Sequence, residues 1–335
     1  MWWGARPQRC LKIGAEELVW VHARSRWGRR RPHRCSVRPL APGQIRLSPM
    51  EPNLIDESAV ETAVRELIAP PRFMRVLRGD RFSRVPRPIT LLLPDLCVRT
   101  VVFRLDRIPA KRSERDALIR WRFGQDHLFP LNGATVCHQL LPSLDPRSKG
   151  QGATVLAVAI QDAVRRQYEG LCQAVGLVPI DVTTPSFQLC NVWLASQDQA
   201  TPARPVADFL WLSLLDRTFT LCAFHRGQPV FTRSKLLGPT GAGGLDRRLD
   251  AEQLEWIASE CEASLRLYEE QGVPGQPSRL VVVADEGSET LQAGLQERLS
   301  LEVVSFDWTV CEPMRWRIRG KDLPASAMAA IASVC

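Results

Sequence analysis

Apolar and polar residues alternate along 11–23 (LKIGAEELVWVHA), and the alternation breaks at Gly14–Glu17. A period of two predicts two short strands joined by a turn there. The chain then passes a tip around Trp27–Arg31 and returns in a third strand near Cys35–Leu40. Residues 41–55 carry three prolines and read as a loop. The period changes at 56–69 (DESAVETAVRELIA), where Val60, Ala63, Val64, Leu67 and Ile68 recur at helical spacing. Ser58 followed by Glu61 has the form of a capping box, and Pro70–Pro71 stops the helix. ITLLL at 89–93 is a strand.

The two periods keep alternating. Residues 97–105 (CVRTVVFRL) predict a strand, and 113–123 (SERDALIRWRF) a helix that Ser113 can cap. Strands at 134–141 and 153–160 flank a polar loop. A helix over 161–175 puts Val164, Tyr168, Leu171, Cys172 and Val175 on one face, with Gly176 as its C-terminal cap. Another helix is expected at 184–197. Beyond a polar stretch at 197–208 come strands at 209–215, 218–224 and 229–237, then a glycine-rich loop at 238–244 (GPTGAGG). A helix over 251–271 follows, with Asp250 and Gln253 as its capping box, then strand 279–284, helix 288–299 and strand 301–306.

The order of these elements repeats. Residues 11–93 and 209–284 each run three strands, a helix and a strand, without obvious sequence repetition. That plan predicts an α/β fold of duplicated, actin-like (ribonuclease-H-like) halves. The expected division is 1–200 and 201–335, with a small α+β insertion at about 95–160 in the first half.

Composition changes the picture only at one end. The 335 residues carry a net charge of +8, but residues 1–48 account for +9 and the rest for −1. Arg24, Arg26, Arg29, Arg30, Arg31, Arg34 and Arg38 crowd one short stretch. Such a run is a solvated hairpin tip or a contact for an anionic membrane surface or acidic partner. Nucleic-acid binders usually spread charge over a whole face, which makes that partner the less favoured one. No two of the ten cysteines are closer than 18 positions, so no CxxC exists. No secretory leader or membrane-spanning apolar run is seen, and the expectation is a reduced, cytoplasmic chain.

Several segments together resemble the type IV pilus assembly protein PilM family. They are LLLPD at 91–95, Arg120–Trp121 with Leu128-Phe129-Pro130-Leu131, and 155–191 (VLAVAIQDAVRRQYEGLCQAVGLVPIDVTTPSFQLCN). PVFTR at 229–233 and ECEASLRLYEEQ at 260–271 complete the set. The resemblance implies an actin-like fold related to FtsA. It also implies ATP in the cleft between halves and a location on the cytoplasmic face of the inner membrane. The implied partners are the cytoplasmic peptide of PilN and other proteins of a pilus or secretion platform. The cytoplasmic part of GspL is a cousin in which a transmembrane segment follows.

The departures from that family concern chemistry. Actin-like ATPases hold hydrated Mg²⁺ with a D-x-G hairpin in each half, where glycine lets backbone N–H groups approach the phosphates. In the first hairpin Lys12 stands where the family has Asp, followed by Gly14, with Glu16 and Glu17 beyond. In the second, Ser213-Leu214-Leu215 replaces Asp-Ile-Gly. The adenosine loop retains Gly287 alone. Gly14, Gly241, Gly243 and Gly287 are the candidate cofactor-binding residues of this degenerate cleft. No cofactor is expected, with ATP and Mg²⁺ the candidates if the cleft still works. Trp121, Phe123, Leu128 and Phe129 are candidates to line a peptide groove, or to form the insertion's own core.

Other chemistry is poorly supported. GPTGAGG fits neither GxGxxG nor the P-loop form, HExxH and GxSxG do not occur, and the five histidines lack metal-ligand spacing. Asp181 is the first acid to test in an enzyme reading, and otherwise a turn residue. The leading expectation is a scaffold with weak or no ATP turnover. The alternatives are an active actin-like ATPase or kinase with divergent loops, and a nucleic-acid or anionic-surface binder acting through the arginine-rich hairpin.

Overall fold

The structure is a computed structural model that describes residues 7–26, 29–69, 86–125, 129–142, 152–200, 207–237, 250–270, 275–284, 288–306 and 325–334. Along the chain run β1 (Arg9–Ile13), β2 (Glu17–Arg26), β3 (Arg29–Pro39), α1 (Glu57–Ile68) and β4 (Arg87–Leu92). Then come β5 (Arg99–Leu105), α2 (Arg112–Gln125), β6 (Ala134–Pro142), β7 (Ala153–Gln161), α3 (Asp162–Ala174), β8 (Leu177–Thr183) and α4 (Pro185–Ala200). The rest is β9 (Phe209–Leu215), β10 (Thr218–His225), β11 (Gln228–Leu236), α5 (Ala251–Glu270), β12 (Arg279–Ala284), α6 (Ser288–Arg298), β13 (Glu302–Ser305) and α7 (Ala325–Val334).

Two five-stranded sheets share one plan. The first has the order β3-β2-β1-β4-β8 and the second β11-β10-β9-β12-β13. In each, the first three strands form an antiparallel meander and the last two run parallel to the central strand. A third sheet, β5-β7-β6, is antiparallel throughout. The duplicated α/β plan read from the sequence is therefore present.

Side-chain alternation assigns the faces of the first sheet. Cys10, Val19, Val21, Ala23 and Leu92 point to a cluster completed by Ala327, Ala330, Ile331 and Val334 of α7. On the other face α1 lies against β2 and β3 with Val60, Ala63, Val64, Leu67 and Ile68 buried. The cap of α1 is Asp56, whose carboxylate accepts from Ala59 N at 3.0 Å, while the expected cap Ser58 donates its hydroxyl to Asp56. Gly176 closes α3 with φ +74°, a conformation that glycine adopts without the Cβ penalty.

The second sheet is more enclosed, since every residue of β9 and β10 is buried. One face packs on α5 and α6 through Leu210, Leu212, Phe219, Leu221, Leu280 and Val282. The other carries aromatics, with Phe209 stacked on Phe224 at 4.7 Å and Trp193 tilted at 54° against Phe209, 4.4 Å between ring centres. Asp250 and Gln253 do form the capping box of α5, with Gln253 N donating to Asp250 Oδ1 at 2.7 Å.

The chain divides into two units differently from the sequence expectation. One unit comprises 1–94, 163–192 and 307–335, the other 95–162 and 193–306. Two corrections follow. The insertion belongs with the second half, because β5 lies beside β11. The C-terminal segment belongs with the first half, because α7 covers β1 and β2.

Candidate functional site

The two β-hairpins that would carry phosphate chemistry each follow the central strand of a sheet. In the first, β1 ends at Ile13 and β2 begins at Glu17, with Gly14 N donating to Glu17 O at 2.9 Å to close the turn. Lys12 pairs with Val19 across the ladder, so Lys12 and Glu17 stand diagonally on one face. Lys12 Nζ lies 3.5 Å from Glu17 Oε1, with the two side chains 0% and 10% exposed. The ladder commits Glu17 to Lys12, and the Glu16 carbonyl accepts from Leu40 N at 2.8 Å. The five-residue spacing across a tight turn was the signal that could have paired them.

In the second hairpin, Ser213 fills the position of the acid and Leu215 that of the glycine, and both are buried. Asp216 and Arg217 form the whole connection, at φ +53° and +58°. Two successive left-handed residues make a type I′ turn, which asparagine or aspartate with glycine usually supplies. Leu237 N donates to Arg217 O at 2.8 Å and holds this turn to the end of β11.

These residues do not fit Mg²⁺·ATP. The position that should present a carboxylate to a hydrated cation presents an ammonium already satisfied by Glu17. The second hairpin presents leucines to the region where backbone N–H groups should be bare. Gly14 is the cofactor candidate that can be placed, buried at the end of β1. Gly241, Gly243 and Gly287 lie outside the described residues, as does the loop GPTGAGG. Among the described residues no cluster of three His, Cys, Asp or Glu side chains could hold a metal ion. Asp181 is not in a turn: it sits within β8 and accepts from the Thr90 hydroxyl at 3.3 Å.

The partner candidates separate by burial. Phe123 and Phe129 are 2% and 6% exposed and belong to the core of the third sheet with Val101, Phe103, Ile119 and Val155. Of the two places expected for them, they take the insertion's own core and not the groove: helix α2 turns Phe123 inward, and Phe129 packs on the same cluster, 6.4 Å away ring to ring. Trp121 lies on the opposite side of α2 and is 61% exposed. Leu128 lies outside the described residues. The loop beside α2 is fixed from two sides, since Arg120 donates to the carbonyls of Leu131 and Ala134 and Gln161 Nε2 donates to Pro130 O at 2.6 Å. Arg120–Trp121 thus divides its work, one residue anchoring the loop and the other facing solvent.

A polar pair that the sequence did not signal lies at the far end of the second sheet. His225 Nδ1 is 2.8 Å from Asp208 Oδ2, and Arg226 N donates to Asp208 Oδ1 at 3.2 Å. Asp208 O also accepts from Ser278 N, so the pair fastens three chain segments at the start of β9.

Comparison with known proteins gives no matching family model and no matching curated protein. Among solved structures, the chain is similar to the PilM–PilN type IV pilus biogenesis complex with a TM-score of 0.72. That match has 18% identity and covers 99% of this chain and 100% of the other. The fold is that of PilM. A Bacteroides thetaiotaomicron protein with an actin-like ATPase fold is similar at TM-score 0.48 and 10% identity, covering 93% and 97% of the two chains. The cytoplasmic domain of EpsL, an inner-membrane component of the Vibrio cholerae type II secretion system, is similar at TM-score 0.45 and 9% identity, covering 95% and 96%. The fold shared with that structure is the duplicated α/β fold that the resemblance implied. Among the described residues no helix is long and apolar enough to cross a membrane.

Proposed function

We propose that the chain is a cytoplasmic, actin-like scaffold of a type IV pilus or type II secretion assembly platform. It binds the cytoplasmic peptide of a PilN-like inner-membrane protein and turns over little or no ATP. The observation that carries this reading is the fold shared with PilM over the whole chain, combined with hairpins whose residues do not fit Mg²⁺·ATP. The PilM of that complex is held with PilN in a pilus biogenesis assembly, and the same class of partner is inferred here.

Trp121 is the proposed anchor for the peptide. It is a large amphipathic side chain, exposed beside a loop whose backbone is already pinned, so little ordering is left to oppose binding. Titration with a synthetic peptide of the PilN-like protein's cytoplasmic segment tests the reading. Trp121→Ala is expected to weaken binding by about 30-fold or more, the loss typical of a hot-spot aromatic, with unchanged thermal stability. Equal affinity of the variant removes Trp121 from the site, and no binding to the parent chain removes the scaffold reading. Calorimetric titration with ATP, with and without Mg²⁺, is expected to give no heat. Mg²⁺-dependent binding would move the protein to the ATPase alternative.

A further inference from the structure

The register of the arginine-rich hairpin contains information that its composition does not. β1 pairs with β2 no further than His22, whereas β2 and β3 stay paired out to Arg26 and Arg29. A bulge after His22 leaves His33 out of the ladder, so His22 pairs with Arg34 and Ala23 with Pro32. The extra residue reverses which side the following arginines take. Without it Arg24 would face Pro32; with it Arg24 faces Arg31, and Arg26 faces Arg29. Counting by twos, Leu18, Trp20, His22 and Arg24 share a face with Arg38, Ser36, Arg34 and Arg31.

The end of α1 engages two of these arginines. Arg38 pairs with Glu66, and Arg34 donates to Leu67 O at 2.7 Å and Ala69 O at 2.8 Å. Beyond that helix end Arg24 pairs with Arg31 across the ladder, and both are exposed. The positive field is felt inside the sheet. Burial, then Arg9, His33, Arg24 and Arg34, lower the His22 imidazole to about 4.

We propose that this end of the β2–β3 ribbon docks on the anionic headgroup surface of a lipid membrane. Seven arginines lie in the β2–β3 ribbon, whereas residues 49–335 carry a net −1. A plane of headgroups needs only such an end, whereas a nucleic-acid strand is usually followed along a broader basic face. The proposal stands apart from the peptide partner, because vesicle binding needs none.

Co-sedimentation of the full chain with phosphatidylcholine vesicles, with and without phosphatidylglycerol, tests it. Binding is expected with phosphatidylglycerol alone and is expected to weaken as salt shortens the screening length. Arg24→Gln with Arg31→Gln is expected to lower vesicle affinity by about 30-fold, since each surface cation contributes about fivefold. The pair Arg24→Lys with Arg31→Lys is expected to bind like the parent, which separates charge from any disturbance of the ribbon. Equal binding by the glutamine pair, or equal loss in both pairs, overturns the proposal. So does tighter binding of an oligonucleotide than of vesicles at the same salt.

Discussion

The two hairpins occupy the same place in two sheets of identical strand order, yet each lacks the residues of phosphate chemistry in a different way. The first replaces an acid by its opposite charge and then neutralises it internally, Lys12 against Glu17. The second replaces the acid by buried Ser213 and the glycine by buried Leu215, and tightens the connection to Asp216–Arg217. A charged strand end survives where a neighbouring strand can supply the counter-charge within one diagonal. Where both faces are packed by apolar side chains, as along β9 and β10, the position holds an uncharged residue.

The largest expected effect breaks the first hairpin. Glu17→Ala leaves a buried ammonium without its carboxylate and should destabilise by about 3–5 kcal/mol in denaturant unfolding. Lys12→Met combined with Glu17→Leu should restore most of that loss, because a well-packed apolar pair avoids the desolvation of both ions. A combined variant as unstable as the single one would mean that Glu17 acts through something other than Lys12.

A smaller effect comes from the basic end of the first sheet, which has no counterpart in the second. His22 is lowered to about 4 in the folded chain against 6.5 when free. The unfolded chain therefore takes up a proton first as pH falls. Stability should be fully present above pH 6.5 and decline towards about 4. His22→Gln should flatten the melting temperature over that window, and an unchanged slope would assign the acid loss to other groups.

The smallest effect belongs to the second hairpin. Arg217 sits at φ +58°, where a Cβ is unfavourable, so Arg217→Gly relieves strain while loosening the unfolded chain. The two terms nearly cancel, and the variant should melt within about 1 kcal/mol of the parent. A large loss would show that the arginine side chain holds the turn.

Much of this architecture was legible from periodicity, and the failures have local causes. Strand β8 went unread because Pro179 interrupts it and its alternate residues Val178, Ile180 and Val182 face solvent, which removes the half-buried signature. Helix α7 (ASAMAAIASV) has no polar face to reveal a period, since it is apolar along its length and packed on the first sheet. The outer part of β3 was hidden by its arginines, which are poor evidence for a strand until the partner β2 is known. The glycine-bearing loops of the candidate cleft were found by resemblance and not by pattern. For the groove residues, burial separated Phe123 from Trp121 in a way that spacing within one helix left open.

Helix α7 also orders events in time. The apolar faces of Cys10, Val19 and Val21 are made within the first two dozen residues, but the surface that covers them is near the other end of the chain. During synthesis the leading sheet must wait, half covered, for some three hundred residues to follow. A chaperone that shields β1 and β2, or the rapid folding of the intervening 95–162 and 193–306 unit, would set how much of the chain survives that interval.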